Sequence, residues 1–391
     1  MRENTKKRNV KRLIIISISS FLGIAFILGA TAYFVVRSYI GKMNLVVLEE
    51  DEMEYVDSNE YVEDDEYVED NYYDAYMDKT VDEIISMDTS GSNDAHNKVI
   101  NETQTEDVED MEEQISRNMS DNRMEIKKDK DVLNVLLIGS DSRNSKRRGL
   151  SDAMILISIN KKTKTIFATS FLRDIYLQIP GKKNNRLNTA YSSGGAKLLM
   201  ETIEQNFKID IDKYISVDFF AFMDIVDAIG GVTLEITDKE LPVVNDYVDH
   251  LNKLLKVEEG TDRLKNSGSQ LLNGKQALGY TRVRYVGTDF ARTARQRKIL
   301  EIIFNKIKGL SLTQMNDLLN KVLPKVTTNF KEGEIFSQIM SLPSYLKYDI
   351  EQCTIPIKDS YKNMSIRGMA VLGVDFEMNI KKLHERIYLA D

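Results

Sequence analysis

The chain has 391 residues, of which 42% are hydrophobic, and a formal net charge of −8. That apolar content is enough to bury a sizeable core, which excludes a chain disordered throughout. A single cysteine, Cys353, excludes an intrachain disulfide and any multi-cysteine zinc site, and reads as a small apolar filler.

The net value conceals three unlike segments: roughly +7 over residues 1–43, roughly −22 over 44–130 and roughly +7 over 131–391. Residues 1–12 form a basic tail with Arg2, Lys6, Lys7, Arg8, Lys11 and Arg12. Residues 13–36 carry no charge, and about 24 helical residues at about 1.5 Å each would reach about 36 Å, enough to span a bilayer. The positive-inside tendency then leaves the N-terminus cytoplasmic and places everything after Ile40 outside. A cleaved signal peptide is the alternative, because Ala30-Thr-Ala32 resembles a cleavage site. The apolar run continues to Val36, which favours a membrane anchor.

Residues 37–130 are acidic and low in complexity, with a six-residue repeat in Glu54-Tyr-Val56, Glu60-Tyr-Val62 and Glu66-Tyr-Val68. Like charges and few aliphatic side chains predict a disordered stalk. A tyrosine-bearing binding segment, or a spacer repelled by anionic surroundings, is the other reading. Weak helical periodicity occurs near Val81 to Met87 and Asp107 to Ile115.

A folded domain is expected over 131–391. Val132 to Ile138 is a buried strand ended by Gly139, followed by strands at Ala153 to Ile159, Thr165 to Ser170 and Ile175 to Ile179. A helix runs from Ala196 to Phe207, a short strand covers Ile215 to Val217, and Asp218 caps a helix over Phe219 to Ile229. Val232 to Ile236 is a strand, and residues 238–268 read as an irregular insertion. Asn273 to Leu278 reads as a short helix leading into a strand from Tyr280 to Tyr285, on which alternation would point Arg282 and Arg284 the same way. Helices follow at Phe290 to Ile307, Leu312 to Leu323, Glu332 to Met340 and Met378 to Ile387, with a strand around Glu351 to Ile355. Strands alternating with helices predict an α/β fold, a three-layer α/β/α domain with a mixed central sheet.

Charged residues collect at the ends of these runs: Asp141 and Arg143, Asp152, Arg173 and Asp174, Arg186, Arg282 and Arg284, then Arg292, Arg295 and Gln296. Arginine forks suit phosphate oxygens and aspartates supply hard oxygen ligands, so the layout is that of a polyanion site. Taken singly, Gly139-Ser-Asp141 is an ordinary turn and each arginine an ordinary ion-pair partner, with Asp289 or Asp174 able to separate Arg282 from Arg284. No Gly-x-x-x-x-Gly-Lys-Ser/Thr run accompanies Gly230-Gly231, which argues against nucleotide hydrolysis. His96, His250 and His384 form no zinc pair and no nucleophile–base order.

Asp141-Ser-Arg143, Ser151-Asp152, Arg173-Asp174, Val226 to Val232, Leu272 to Leu278, Arg282-Val-Arg284 and Arg292-Thr-Ala-Arg295-Gln296 resemble, in order and spacing, the LytR-CpsA-Psr family. The resemblance covers roughly residues 131 to 310 and, more loosely, the remainder. One departure is Leu172, where the family usually has proline before Arg-Asp. The resemblance implies a phosphotransferase that moves a glycopolymer from a polyprenyl-pyrophosphate carrier to peptidoglycan. It implies Mg²⁺ on Asp141 and Asp152, and a pyrophosphate clamp of Arg173, Arg186, Arg282, Arg284, Arg292 and Gln296. Arg173 and Asp174 would be catalytic, Asp174 either orienting Arg173 or acting as general base. A lipid-pyrophosphate hydrolase and a non-catalytic lipid-phosphate regulator are the rival readings. An extracytoplasmic address argues against nucleic acid as the partner of Lys146-Arg-Arg148 and Lys182-Lys183; phospholipid headgroups or anionic polymer suit them better.

Overall fold

The computed structural model describes residues 35–48, 104–121, 125–140, 149–283 and 289–388. Its strands are β1 (Asn44–Leu45), β2 (Val132–Ser140), β3 (Ser151–Asn160), β4 (Thr165–Phe171), β5 (Tyr176–Leu177), β6 (Asn185–Arg186), β7 (Lys213–Asp218), β8 (Val232–Ile236), β9 (Gly268–Leu272), β10 (Val326–Thr328), β11 (Asp349–Ile355), β12 (Tyr361–Ile366) and β13 (Met369–Val374). Its helices are α1 (Thr105–Ser120), α2 (Thr189–Phe207), α3 (Phe219–Ala228), α4 (Glu240–Leu254), α5 (Gly274–Arg282), α6 (Asp289–Ile307), α7 (Leu312–Val322), α8 (Glu332–Tyr345) and α9 (Phe376–Tyr388).

A mixed seven-stranded sheet runs β1-β10-β7-β2-β3-β4-β11. β2 pairs parallel with β7 and antiparallel with β3, and β4 pairs parallel with β11. The C-terminal ends of β2, β4, β7 and β11 therefore share one edge of the sheet with the start of β3. Two buried clusters form on it. One joins Leu136, Ile138, Leu156 and Phe171 with side chains of α1, α2 and α9; the other joins Val326 with α3 to α7 and packs against Ile215 and Val217.

Three sequence expectations change. Residues expected as an irregular insertion contain α4, whose Val244, Tyr247 and Val248 are buried. The strand expected over Tyr280 to Tyr285 is absent where described, because α5 continues to Arg282. Asn273 caps α5 through Gln276 N at 3.0 Å, and Gly279 lets α4 approach so closely that a Cβ there would lie 3.0 Å from Val244 O. Alternation along Tyr280, Arg282 and Arg284 mimics a strand, but packing against α4 wins.

The third change concerns the acidic segment. Its first residues already belong to the sheet, since Asn44 and Leu45 pair with Thr327 and Thr328. Its last part forms α1, whose Met111 and Ile115 are buried in the core. Both described ends of the segment are thus held by the fold, while residues 49–103, with the Glu-Tyr-Val repeat and the expected disordered stalk, lie outside the described residues. A two-residue strand leaves no periodic signal in a sequence. Most of the apolar run over 13–36 lies outside the described residues; among those described, no helix is long and apolar enough to cross a membrane.

Candidate functional site

β2 and β3 stay in register up to Gly139 opposite Ala153, then shift so that Ser140 faces Ser151. That irregularity places Asp152 at a β-bulge between the two registers, and such a bulge re-aims the side chain it carries. Asp152 is the hub of the site. Its Oδ1 lies 3.3 Å from Arg173 Nη1 and its Oδ2 lies 3.9 Å from Arg282 Nη2, while Gln296 Nε2 approaches its carbonyl oxygen at 3.5 Å.

A second carboxylate extends the chain of charges. Asp174 Oδ2 lies 3.4 Å from Arg173 Nε and its Oδ1 lies 3.5 Å from Arg186 Nη1. Arg282, Asp152, Arg173, Asp174 and Arg186 thus alternate in sign, three guanidiniums sharing two carboxylates. Burial strengthens each pairing by excluding water, and the excess positive charge of the set favours a polyanion beside it.

Each arginine is held by local structure. Arg173 follows β4 through a loop fixed by Leu172 N donating to Ile355 O at 2.9 Å and Asn188 N donating to Arg173 O at 3.2 Å. Leu172 is fully buried, so the position where the family usually has proline uses both an amide hydrogen and an apolar side chain here. Arg186 ends β6, and Arg282 ends α5 with its guanidinium carbon 4.8 Å from the Phe219 ring and 5.4 Å from the Tyr247 ring. Flat contact with two aromatic faces limits where the fork can point.

Arg292, only 2% exposed, precedes Gln296 by four residues on α6, so the two share a helix face. Arg295 does structural work instead: its Nε lies 2.9 Å from Glu240 Oε1 and its Nη1 donates to Val283 O at 2.9 Å, tying α4 and α6 to the end of α5. Burial pushes Glu240 upward, but hydrogen bonds from Thr237 and Arg295 outweigh it and hold the carboxyl below its ordinary value. Arg297 donates to Ser170 Oγ at 2.7 Å and Thr354 Oγ1 at 2.9 Å, joining α6 to β4 and β11; burial lowers its pKa.

Of the residues expected from the sequence, Asp152, Arg173, Asp174, Arg186, Arg282 and Gln296 converge. Asp141, Arg143 and Arg284 lie outside the described residues, although Ser140, which precedes Asp141, faces Ser151. Sequence reasoning missed three neighbours of the cluster. Phe219 and Tyr247 cover Arg282, and Tyr247 sits in the segment expected to be irregular. Asn188 is fully buried between Arg173 and Ser151, and neither Oδ1 nor Nδ2 of its side chain has a hydrogen-bond partner among the described residues. A single asparagine between Leu187 and Thr189 carries no signal of its own in the sequence, since it also reads as an ordinary turn or cap residue.

The LytR_cpsA_psr family model matches residues 94–385. Among curated proteins, Biofilm regulatory protein A of Streptococcus mutans is 33% identical over 237 residues, covering 56% of this chain and 54% of its own length. A polyisoprenyl-teichoic acid–peptidoglycan teichoic acid transferase TagU of Bacillus cereus is 34% identical over 208 residues, covering 52% and 62% respectively. The chain thus matches less than two thirds of the length of either relative. The Bacillus subtilis protein YwtF (TagT), solved with bound octaprenyl pyrophosphate lipid, aligns with a TM-score of 0.50 at 25% identity, covering 68% of this chain and 95% of that one. The matched span takes in the whole described charge cluster together with α1 and most of α9, and on that ground the chain belongs to the LytR-CpsA-Psr family.

Proposed function

We propose that the chain is a phosphotransferase that takes a glycopolymer from a polyprenyl-pyrophosphate carrier and joins it to peptidoglycan through a phosphodiester. The observation that carries this reading is the Asp152 carboxylate set between Arg173 and Arg282, with Arg186 linked through Asp174. The names of the TagU relatives and the octaprenyl pyrophosphate bound by TagT support the same substrate class. A three-layer arrangement of helices about the sheet is the architecture that the two buried clusters support.

The reaction needs little covalent chemistry from the protein and much positioning and charge neutralisation. An acceptor hydroxyl on peptidoglycan attacks the glycan-proximal phosphorus. The bond to the bridging oxygen breaks, polyprenyl monophosphate leaves, and the hydroxyl proton passes to a base. Arg173 and Arg282 balance charge building on the leaving phosphate, and Gln296 donates an amide hydrogen to a phosphate oxygen. Asp174, held between Arg173 and Arg186, keeps the Arg173 fork aimed. In the general-base reading it would instead accept the hydroxyl proton.

Magnesium uses one or two carboxylates and completes its shell with water and substrate phosphates. Asp152 offers one such carboxylate in a mostly buried setting, the chemistry that such an ion requires, while Asp141, the other expected ligand, lies outside the described residues. The ion would supply positive charge to the pyrophosphate oxygens.

In this reading residues 13–36 anchor the chain in the membrane, and the folded domain lies outside. The test is wall-linked polymer in cells carrying Arg173→Ala or Asp152→Ala. Loss of attachment with retained lipid binding supports transfer, whereas unchanged attachment assigns the protein to a non-catalytic role. Glycan phosphate released by purified protein without acceptor would instead mark a hydrolase.

A further inference from the structure

The end of the sheet opposite the charge cluster is bordered by α8. The helix begins near the start of β7, where Lys213 Nζ lies 2.7 Å from Glu334 Oε2, and the chain then enters β11 at Asp349, whose amide donates to Lys164 O at 3.1 Å. Both acidic residues of its first turn are paired inward or toward the N-terminal segment: Glu334 with Lys213, and Glu332 with Arg37 at 3.7 Å.

Beyond them, from Ile335 to Leu346, no side chain is charged. Ile339 (42% exposed), Leu342 (46%) and Leu346 (37%) recur at helical spacing together with Pro343, and Ile350 (46%) continues the patch onto β11. Water-soluble surfaces rarely leave a contiguous apolar stripe of this kind uncovered. Lysines bracket it: Lys331 before the helix, Lys347 after it, and exposed Lys161 and Lys164 on the turn that meets Asp349. Tyr348 adds a half-buried ring at one end, 5.6 Å from the Tyr345 ring. An apolar stripe with cationic ends and a flanking tyrosine matches the depth profile of an anionic bilayer surface.

The chain itself indicates where that bilayer lies. Residues 35–40 are helical, and Arg37, directly after the apolar run 13–36, reaches the first residue of α8. We propose that α8 and the start of β11 rest on the headgroup–acyl boundary of an anionic phospholipid bilayer. This rests on the reading of residues 13–36 as a membrane span. β4 and β11, seven residues each, then stand between the bilayer and the charge cluster, which would sit about 20 Å above the membrane and open toward the wall.

The test uses the full chain reconstituted in vesicles of phosphatidylglycerol and phosphatidylcholine. In a Cys353→Ser background, an environment-sensitive fluorophore is attached at Leu342→Cys, Leu346→Cys or, as control, Lys358→Cys beyond the far end of β11. The proposal expects lipid-borne nitroxide to quench the 342 and 346 probes several-fold more than the 358 probe, and iodide to do the reverse. Alkaline carbonate extraction reports the span separately. Chain that resists extraction while its 342 probe stays as open to iodide as the 358 probe overturns the membrane face alone. Chain washed off the vesicles overturns the span and the face together. Energy transfer between 342 probes on two chains, without lipid quenching, assigns the stripe to a second copy and overturns the proposal.

Discussion

Arg173 and Asp152 meet at 3.3 Å across 21 residues of sequence, and the same guanidinium turns its Nε to Asp174 at 3.4 Å. One planar fork thus spans two carboxylates, a geometry that a lysine cannot reproduce. Arg173→Lys should therefore lower transfer by about 100-fold while keeping the charge, and Arg173→Ala should lower it further. Melting temperature measured alongside should stay near the parent's, since a lost fold would also abolish activity.

Asp174→Asn separates the two roles open to that residue. If Asp174 orients Arg173, the rate should fall by about tenfold and the pH–rate profile should keep its shape. If it is the general base, the acidic limb of the profile should disappear along with most of the rate. The pH dependence of kcat/KM decides between them.

Leu172→Pro restores the residue usual in the family, yet should destabilise this chain by about 1–3 kcal/mol. The amide that donates to Ile355 O would be lost, and a smaller ring would replace a fully buried leucine. Chemical denaturation of the variant measures the difference.

Glu204 gives a pH signature. Burial pushes its carboxyl from 4.5 up to about 7, against the hydrogen bond that it accepts from Ile211 N. The folded chain therefore holds a proton that the unfolded chain releases above its ordinary pKa. This contribution to stability is fully present below pH 4.5 and is lost as pH rises through about 7. Glu204→Gln keeps the acceptor without titrating, so its thermal stability should fall less between pH 5 and 8 than the parent's.

Much of this architecture can be read from the sequence because the longer elements carry their own period. β8 spans Val232 to Ile236 as its alternation predicts, and α3 starts after Asp218, whose Oδ1 accepts from Ala221 N. Asp152, Arg173 and Gln296 were recognisable because residue types suited to phosphate recur at strand ends and in the first turns of α6. Arg282 is legible as a residue but its element is not, because contact with α4 extends α5 through it. β1 is too short to carry a period, and α1 shows only as the weak helical periodicity near Asp107 to Ile115, because an acidic composition masks two buried side chains, Met111 and Ile115, that pin the segment to the core.

That pinning has a measurable cost when removed. Ile115→Ala should lower stability by about 2–5 kcal/mol. A truncated chain beginning at Asp131 should melt lower still, although every charged residue of the site remains.

Transfer and hydrolysis send the two phosphorus atoms of the carrier to different products. Purified chain should be given a polyprenyl-pyrophosphate glycan, labelled at the glycan-proximal phosphorus, with peptidoglycan and Mg²⁺, and the products separated by mass spectrometry. A transferase should place the label in a phosphodiester between glycan and peptidoglycan, with equimolar polyprenyl monophosphate, and Arg173→Ala should give neither product. Label appearing as free glycan phosphate at the same rate without peptidoglycan would contradict it.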